Sequence, residues 1–233
     1  MLNEFSRLEI LIGKEKIEKL KNSKVCVFGL GGVGGYVVEA LARSAIGELT
    51  LIDSDTVSLT NINRQIIATN NSIGNLKTEE FAKRLVTINP KIKINIKTIF
   101  AIKDNLQEII PEDTTYIVDA IDTVTTKLDL VEYANNKGIE LISCMGTGNK
   151  LNPCMLEVTD INKTEVCPLA KVIRKELKKR NIKKLKVVYS KETPIKPLEL
   201  KEEVCKAGST AFVPSVAGLI IASEVVKDII NLK

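Results

Sequence analysis

Gly29-Leu30-Gly31-Gly32-Val33-Gly34 joins an apolar run to an amphipathic stretch. Glycines in a G-x-G-x-x-G pattern let the backbone turn tightly and approach a phosphate, whose charge meets the free N–H groups of the next helix. Asp53 closes the following apolar run about twenty residues on, where a carboxylate can accept hydrogen bonds from ribose hydroxyls. The pattern points to a mononucleotide or dinucleotide site. Glycines kept only for helix–strand packing are the plainer alternative.

The residues beyond Asp53 narrow the chemistry. Asp55, then Thr60-Asn61-Ile62-Asn63-Arg64-Gln65, then Gly74-Asn75-Leu76-Lys77, then Asp119-Ala120-Ile121-Asp122 follow in order. Gly29, Asp53 and Asp119 all fall at the ends of expected parallel strands, the edge where such sheets bind ligands. One mouth would hold the cations Arg64 and Lys77 together with several carboxylates. That set suits a polyphosphate with magnesium better than it suits hydride transfer. Taken one at a time, Arg64 and Lys77 could be surface charges and Asp119 a turn cap.

The chain contains no histidine, which excludes Ser-His and Cys-His nucleophile pairs and any histidine metal site. Cys26, Cys144, Cys154, Cys167 and Cys205 form no C-x-x-C pair, so neither a disulfide framework nor a zinc site is expected. No apolar run approaches the ~20 residues that cross a bilayer, and the first residues lack the apolar core of a secretory signal. A cytoplasmic location is the expectation.

Charge is unevenly spread. Lys171, Arg174, Lys175, Lys178, Lys179, Arg180, Lys183, Lys184, Lys186, Lys191 and Lys196 crowd one stretch against only Glu176 and Glu192. Such a cluster attracts polyanions, nucleic acid above all, although a solvated helix face would look the same.

These residues need elements to carry them. Lys24–Gly29, Glu48–Asp53, Ile92–Ile96, Tyr116–Ala120, Glu140–Met145 and Lys186–Ser190 read as strands. Val33–Ser44, Leu76–Ile88, Lys127–Lys137, a stretch from Pro168, and Val216–Ile230 read as helices. Strands separated by helices predict an α/β, Rossmann-like, doubly wound fold. Its sheet would be mostly parallel, with helices on both faces and a basic C-terminal extension. A single domain over 1–233 is expected, with 1–150 as nucleotide-binding core and 151–233 as a C-terminal part holding the basic segment 171–196.

Read as one string, the motifs resemble the ubiquitin-activating-enzyme-like adenylyltransferases, the ThiF-like superfamily that activates the molybdopterin and thiamine sulfur carriers. The resemblance begins at Arg7 in FSRLEILIG and is strongest toward the tRNA threonylcarbamoyladenosine dehydratases. Met145–Pro153, Val158–Thr164 and Val166–Ala170 carry that distinction. Missing C-x-x-C pairs agree with it, since the carrier activators usually bind zinc through them.

The resemblance implies ATP and Mg²⁺ as cofactors and tRNA carrying threonylcarbamoyladenosine as substrate. Gly29, Gly31, Gly32 and Gly34 would lie against phosphate, and Asp53 would hold ribose. Asn61, Arg64, Gln65 and Lys77 would contact the triphosphate. Asp122, supported by Asp55, would hold the metal. Arg7 would reach the triphosphate of a partner subunit, so a homodimer is implied. Cys205 is a candidate for covalent or sulfur-relay chemistry with a protein partner, against the plainer reading of a spectator thiol. Arg174, Lys175, Lys178, Lys179 and Arg180 would dock tRNA, with Tyr189 as the candidate for base stacking. The family commonly follows Asn-Arg-Gln with Ile and His, whereas here Asn63-Arg64-Gln65-Ile66 is followed by Ile67. An activator of a ubiquitin-like sulfur carrier, an NAD-dependent dehydrogenase and a non-catalytic tRNA-binding scaffold are the rival readings.

Overall fold

The protein is described by a computed structural model covering residues 2–196, 198 and 207–232. Two short helices, α1 (Ser6–Ile12) and α2 (Lys14–Lys21), precede the first strand. The chain continues as β1 (Lys24–Phe28), α3 (Gly34–Arg43), β2 (Glu48–Ile52), α4 (Lys77–Ile88) and β3 (Lys93–Lys97). Then come α5 (Leu106–Ile109), β4 (Tyr116–Asp119), α6 (Val124–Lys137) and β5 (Glu140–Cys144). It ends with β6 (Leu156–Asp160), α7 (Pro168–Lys179), β7 (Lys186–Ser190) and α8 (Val213–Ile229).

The strands form one sheet in the order β3-β2-β1-β4-β5-β7-β6. All pairs are parallel except β6 against β7. From β1 the chain winds outward through β2 and β3, then returns to lay β4 on the other side of β1. A crevice opens beyond the carboxyl ends of two strands where the winding direction reverses, and here those are β1 and β4.

Alternation along the strands builds two cores. Val25, Val27, Tyr116, Val118 and Val188 pack with α2, α3, α4 and α8 on one face. Cys26, Phe28, Ile117, Val187 and Tyr189 pack with α5, α6 and α7 on the other. Period-two alternation sends successive side chains to opposite faces, so a sheet covered on both sides needs apolar residues at almost every position. KVCVF and YIVD meet that demand. Ile67 is also buried in the first core, a packing position.

Several elements escape the sequence pattern. α1 buries none of its residues fully and rests only Leu8 and Ile12 against the core, so its apolar stripe is short. β6 is an edge strand whose residues are all half-buried, and its LEVTD carries only a weak alternation. α8 starts at Val213 rather than near Val216, with Pro214 at its first turn, where the missing N–H costs nothing. The basic extension is no appendage: β7 pairs directly with β5 inside the same sheet.

Candidate active site

The first turn after β1 has little room for side chains. Gly29 has φ 84°, and a Cβ there would lie 2.7 Å from the Ala120 carbonyl oxygen beyond β4. A Cβ on Gly34 would lie 1.8 Å from the Gly29 carbonyl oxygen. Both positions therefore require glycine, and the loop is drawn against β4 at the switch point.

Asp53 ties the end of β2 to this loop. Its Oδ2 accepts the Leu30 N–H at 2.6 Å, and its Oδ1 accepts the Asp55 N–H at 2.8 Å. Burial pushes its carboxyl above the usual range, with the Lys77 ammonium pulling the other way. Lys77, at the start of α4, is 5% exposed, and its Nζ lies 2.7 Å from Asp55 Oδ2 and 3.9 Å from Asp53 Oδ1. Two carboxylates and one buried cation thus form a fixed group at the carboxyl edge.

The turn after β2 supplies the second cation. Asn61 Oδ1 accepts the Ser58 N–H at 3.1 Å, and Asn61 O accepts the N–H groups of Arg64 and Gln65. This winds the chain tightly enough to lay Arg64 along the glycine loop: a Cβ on Gly32 would be 3.3 Å from Arg64 Cγ. Arg64 Nη1 donates to Thr60 O and to Asn63 Oδ1, which leaves Nη2 and Nε without partners among the described residues. Gln65 is 6% exposed, and its Oε1 is buried with no hydrogen-bond partner among them. A buried carbonyl oxygen left open beside a cavity is an acceptor awaiting a ligand or water.

A cavity of about 410 Å³ gathers these groups. Gly29, Gly31, Gly32, Asp53, Asp55, Asn61, Arg64, Gln65, Lys77 and Asp122 all line it. Gly34 stands just below, inside α3. Asp122 is exposed at the mouth, with Oδ1 accepting a long hydrogen bond from Thr123 at 3.4 Å. Sequence reasoning missed the apolar walls, Ile99, Phe100, Ala101 and Ile121, and the rim residues Thr147, Ser209 and Pro214. Phe100 had a signal in the sequence, a large apolar residue just past the carboxyl end of an expected strand, and the structure leaves it 54% exposed.

Three expectations need correction. Asp119 is not a mouth carboxylate. It is 0% exposed, with both oxygens on Lys127 Nζ at 3.0 and 2.9 Å and Ser143 Oγ donating to Oδ2. Its Oδ1 also accepts the Ile121 N–H at 3.2 Å, so this buried pair sets the turn that presents Asp122. Tyr189 cannot stack on a base, being 1% exposed on the inner face of β7. Within the basic set, Arg174 holds the Ile161 and Thr164 carbonyls through Nη1, and Arg180 lies 3.9 Å from Glu132 with its own Nη1 buried. Those two guanidiniums serve the fold.

Lys175 and Lys178 are exposed, as is Lys171, one turn earlier on the same face of α7, while Lys179 pairs with Glu176 at 2.7 Å. Lys184 and Lys186 share a groove with Gly138 and Glu140, at the amino edge of the sheet. The lower end of the basic segment is therefore a strand's length, roughly 17 Å, from the edge that holds the cavity. Arg7 is exposed on α1 and does not line this cavity.

Cys26, Cys144 and Cys167 are buried and Cys154 is exposed. Burial pushes the Cys144 thiol up to about 12, which keeps it protonated and poorly nucleophilic near neutral pH. Cys205 lies outside the described residues. No described helix is long and apolar enough to cross a membrane.

The ThiF family model matches residues 5–233. The chain is 40% identical over 247 aligned residues to tRNA threonylcarbamoyladenosine dehydratase of Bacillus subtilis strain 168, covering 99% of this chain and 96% of that one. It is 37% identical to the protein of that name from Escherichia coli K12, covering 88% and 79%. The crystal structure of the E. coli tRNA N6-threonylcarbamoyladenosine dehydratase, TcdA, in complex with ATP superposes with a TM-score of 0.91 at 32% identity, covering 98% and 94%.

Proposed function

The chain belongs to the ThiF family, and from that premise we propose that it closes N6-threonylcarbamoyladenosine in tRNA into its cyclic form, with ATP driving the loss of water. One observation carries the reading: the glycine loop, Asp53, Arg64, Lys77 and Asp122 line a single cavity, in a chain alike along almost its whole length to a dehydratase.

A carboxylate resists attack because its leaving group would be oxide. In the proposed route the threonyl carboxylate attacks the α-phosphate of ATP, pyrophosphate leaves, and an acyl-adenylate forms. A nucleophile on the same side chain then displaces AMP and closes the ring. No histidine base exists in the chain, and proximity within the bound adenylate supplies much of the advantage in such a closure.

Asp53 holds the ribose hydroxyls, with Ile99 and Phe100 as the apolar wall for the base. Gly31 and Gly32 bring backbone N–H groups to the phosphates, while Asn61, Gln65, Arg64 and Lys77 surround the triphosphate. Charge on the departing pyrophosphate is then stabilised by groups already fixed in place. Asp122, with Asp55 in support, is the carboxylate for a Mg²⁺ that arrives with the nucleotide. When bound, Mg²⁺ neutralises phosphate charge.

The exposed Lys171, Lys175, Lys178 and Lys179 are assigned to tRNA phosphates, which gives contact without base readout. A homodimer is proposed from α1, where Arg7 stands exposed beside Ile10 and Leu11, which are 86% and 79% exposed. With tRNA as substrate, the location is cytoplasmic.

The test is incubation of the protein with ATP, Mg²⁺ and threonylcarbamoyl-modified tRNA, followed by nucleoside mass spectrometry. The expected result is loss of one water only when ATP is present. An unchanged nucleoside, with pyrophosphate exchange elicited instead by a ubiquitin-like carrier protein, overturns the reading.

A further inference from the structure

Asn149 lies in the loop after β5 with φ 59°, a left-handed conformation that asparagine adopts more readily than most residues. Its N–H donates to Gly208 O at 2.8 Å, and its Oδ1 accepts the Gly208 N–H at 2.6 Å. Its carbonyl accepts the Ile195 N–H at 2.7 Å. One residue therefore gathers the segment leaving β7 and the segment entering α8. Its neighbour Lys150, 3% exposed, fastens the same loop to the end of β7 by donating to Gly146 O at 3.1 Å and Ser190 O at 3.3 Å.

The gathering point touches the cavity. Thr147 and Ser209, on either side of the clasp, both line it. Asn63 Nδ2 donates to Ser209 O at 3.0 Å, and Asn63 Oδ1 accepts from Arg64 Nη1 at 3.0 Å. Hydrogen bonds and chain thus run without a break from Asn149 through Gly208 and Ser209 to Asn63 and the Arg64 guanidinium. An asparagine that only shaped a surface loop would have no such terminus.

We propose that Asn149 is a positioning residue: by clasping Ile195 and Gly208 it sets Thr147 and Ser209 as one wall of the mouth and, through Asn63, fixes the angle of Arg64. This deepens the adenylation reading and rests on it. Misplacing a stabilising group by a fraction of an ångström lowers the rate of the chemical step more than it lowers ground-state binding.

Two substitutions separate the side-chain contact from the backbone conformation. Asn149→Gly keeps the left-handed conformation and removes Oδ1. Asn149→Asp keeps an oxygen for the Gly208 N–H. Three readouts apply to native protein and both variants: kcat for tRNA dehydration, KM for ATP, and amide hydrogen exchange across 207–212. Asn149→Gly is expected to lower kcat about tenfold with KM for ATP within about twofold of native, a loss at the upper end of what one intramolecular hydrogen bond contributes. It should also speed exchange in that segment, while Asn149→Asp restores most of both. Turnover of Asn149→Gly within about twofold of native overturns the proposal, as does an Asn149→Asp variant no better than Asn149→Gly. If the native protein fails to dehydrate tRNA, the functional reading falls and the clasp is judged on exchange alone, where unchanged protection in Asn149→Gly overturns it.

Discussion

The carboxyl edge and the outer face of α7 both carry concentrated charge, and they hold it in opposite ways. At the carboxyl edge Lys77 is buried between Asp53 and Asp55, and Arg64 is braced by Thr60 and Asn63. On α7, Lys171, Lys175 and Lys178 stand in solvent. Fixed charges need no reorganisation when a substrate's charge develops, whereas loose ones act mainly through long-range attraction screened by salt. Density of charge along the sequence therefore misleads about where chemistry occurs. The densest basic stretch lies outside the cavity, and two sparse cations line it.

The sharpest way to probe the contrast is to compare lysines. Lys127→Met leaves the Asp119 carboxylate buried without its cation, and stability should fall by about 3–5 kcal/mol, read as a lower denaturation midpoint. Retention of the native midpoint would show that the pair beneath the mouth does not hold the fold. Arg64→Ala should lower dehydration turnover by roughly 10²–10³-fold with the fold intact, judging from other preorganised sites. Near-normal turnover, followed by pyrophosphate release, removes Arg64 from the mechanism.

Asp53→Asn separates binding from stability. Burial raises the Asp53 carboxyl, so its ionised form costs the folded state some stability above that raised value. The asparagine variant should melt no lower than the native protein at neutral pH, and the difference should shrink as pH falls through the raised pKa and vanish below the ordinary carboxyl value. ATP affinity should nevertheless drop by roughly tenfold or more, the size of a lost charge-assisted hydrogen bond. Titration calorimetry and melting curves across pH read both. A variant that melts lower yet binds ATP normally would invert the assignment.

The smallest effect belongs to α7. Lys175→Ala should weaken tRNA binding only a few-fold, reduce the salt slope by about one, and leave ATP binding unchanged. A slope identical to native would remove this face from the docking surface.

Much of the fold was legible because a sheet covered on both faces needs nearly continuous apolar strands, and KVCVF, ELTLI, YIVD and ELISC show them. The glycine loop and Asp53 were legible because close backbone approach and ribose contact restrict residue type. β6 and α1 were not, since an edge strand and a short helix that rests only Leu8 and Ile12 on the core leave little periodicity. Asp119 misled because the end of a parallel strand faces either the crevice or the core, and only the position of Lys127 decides which. Arg174 and Arg180 misled because sequence reports a charge without its partner. The Asn149 clasp depends on contacts between residues far apart in the chain, which no local pattern encodes.

The most direct test of the adenylation chemistry follows oxygen. With the threonylcarbamoyl carboxylate labelled with oxygen-18, attack on the α-phosphate followed by ring closure must leave one labelled oxygen on AMP. Label recovered in inorganic phosphate, or AMP released without label, contradicts the account.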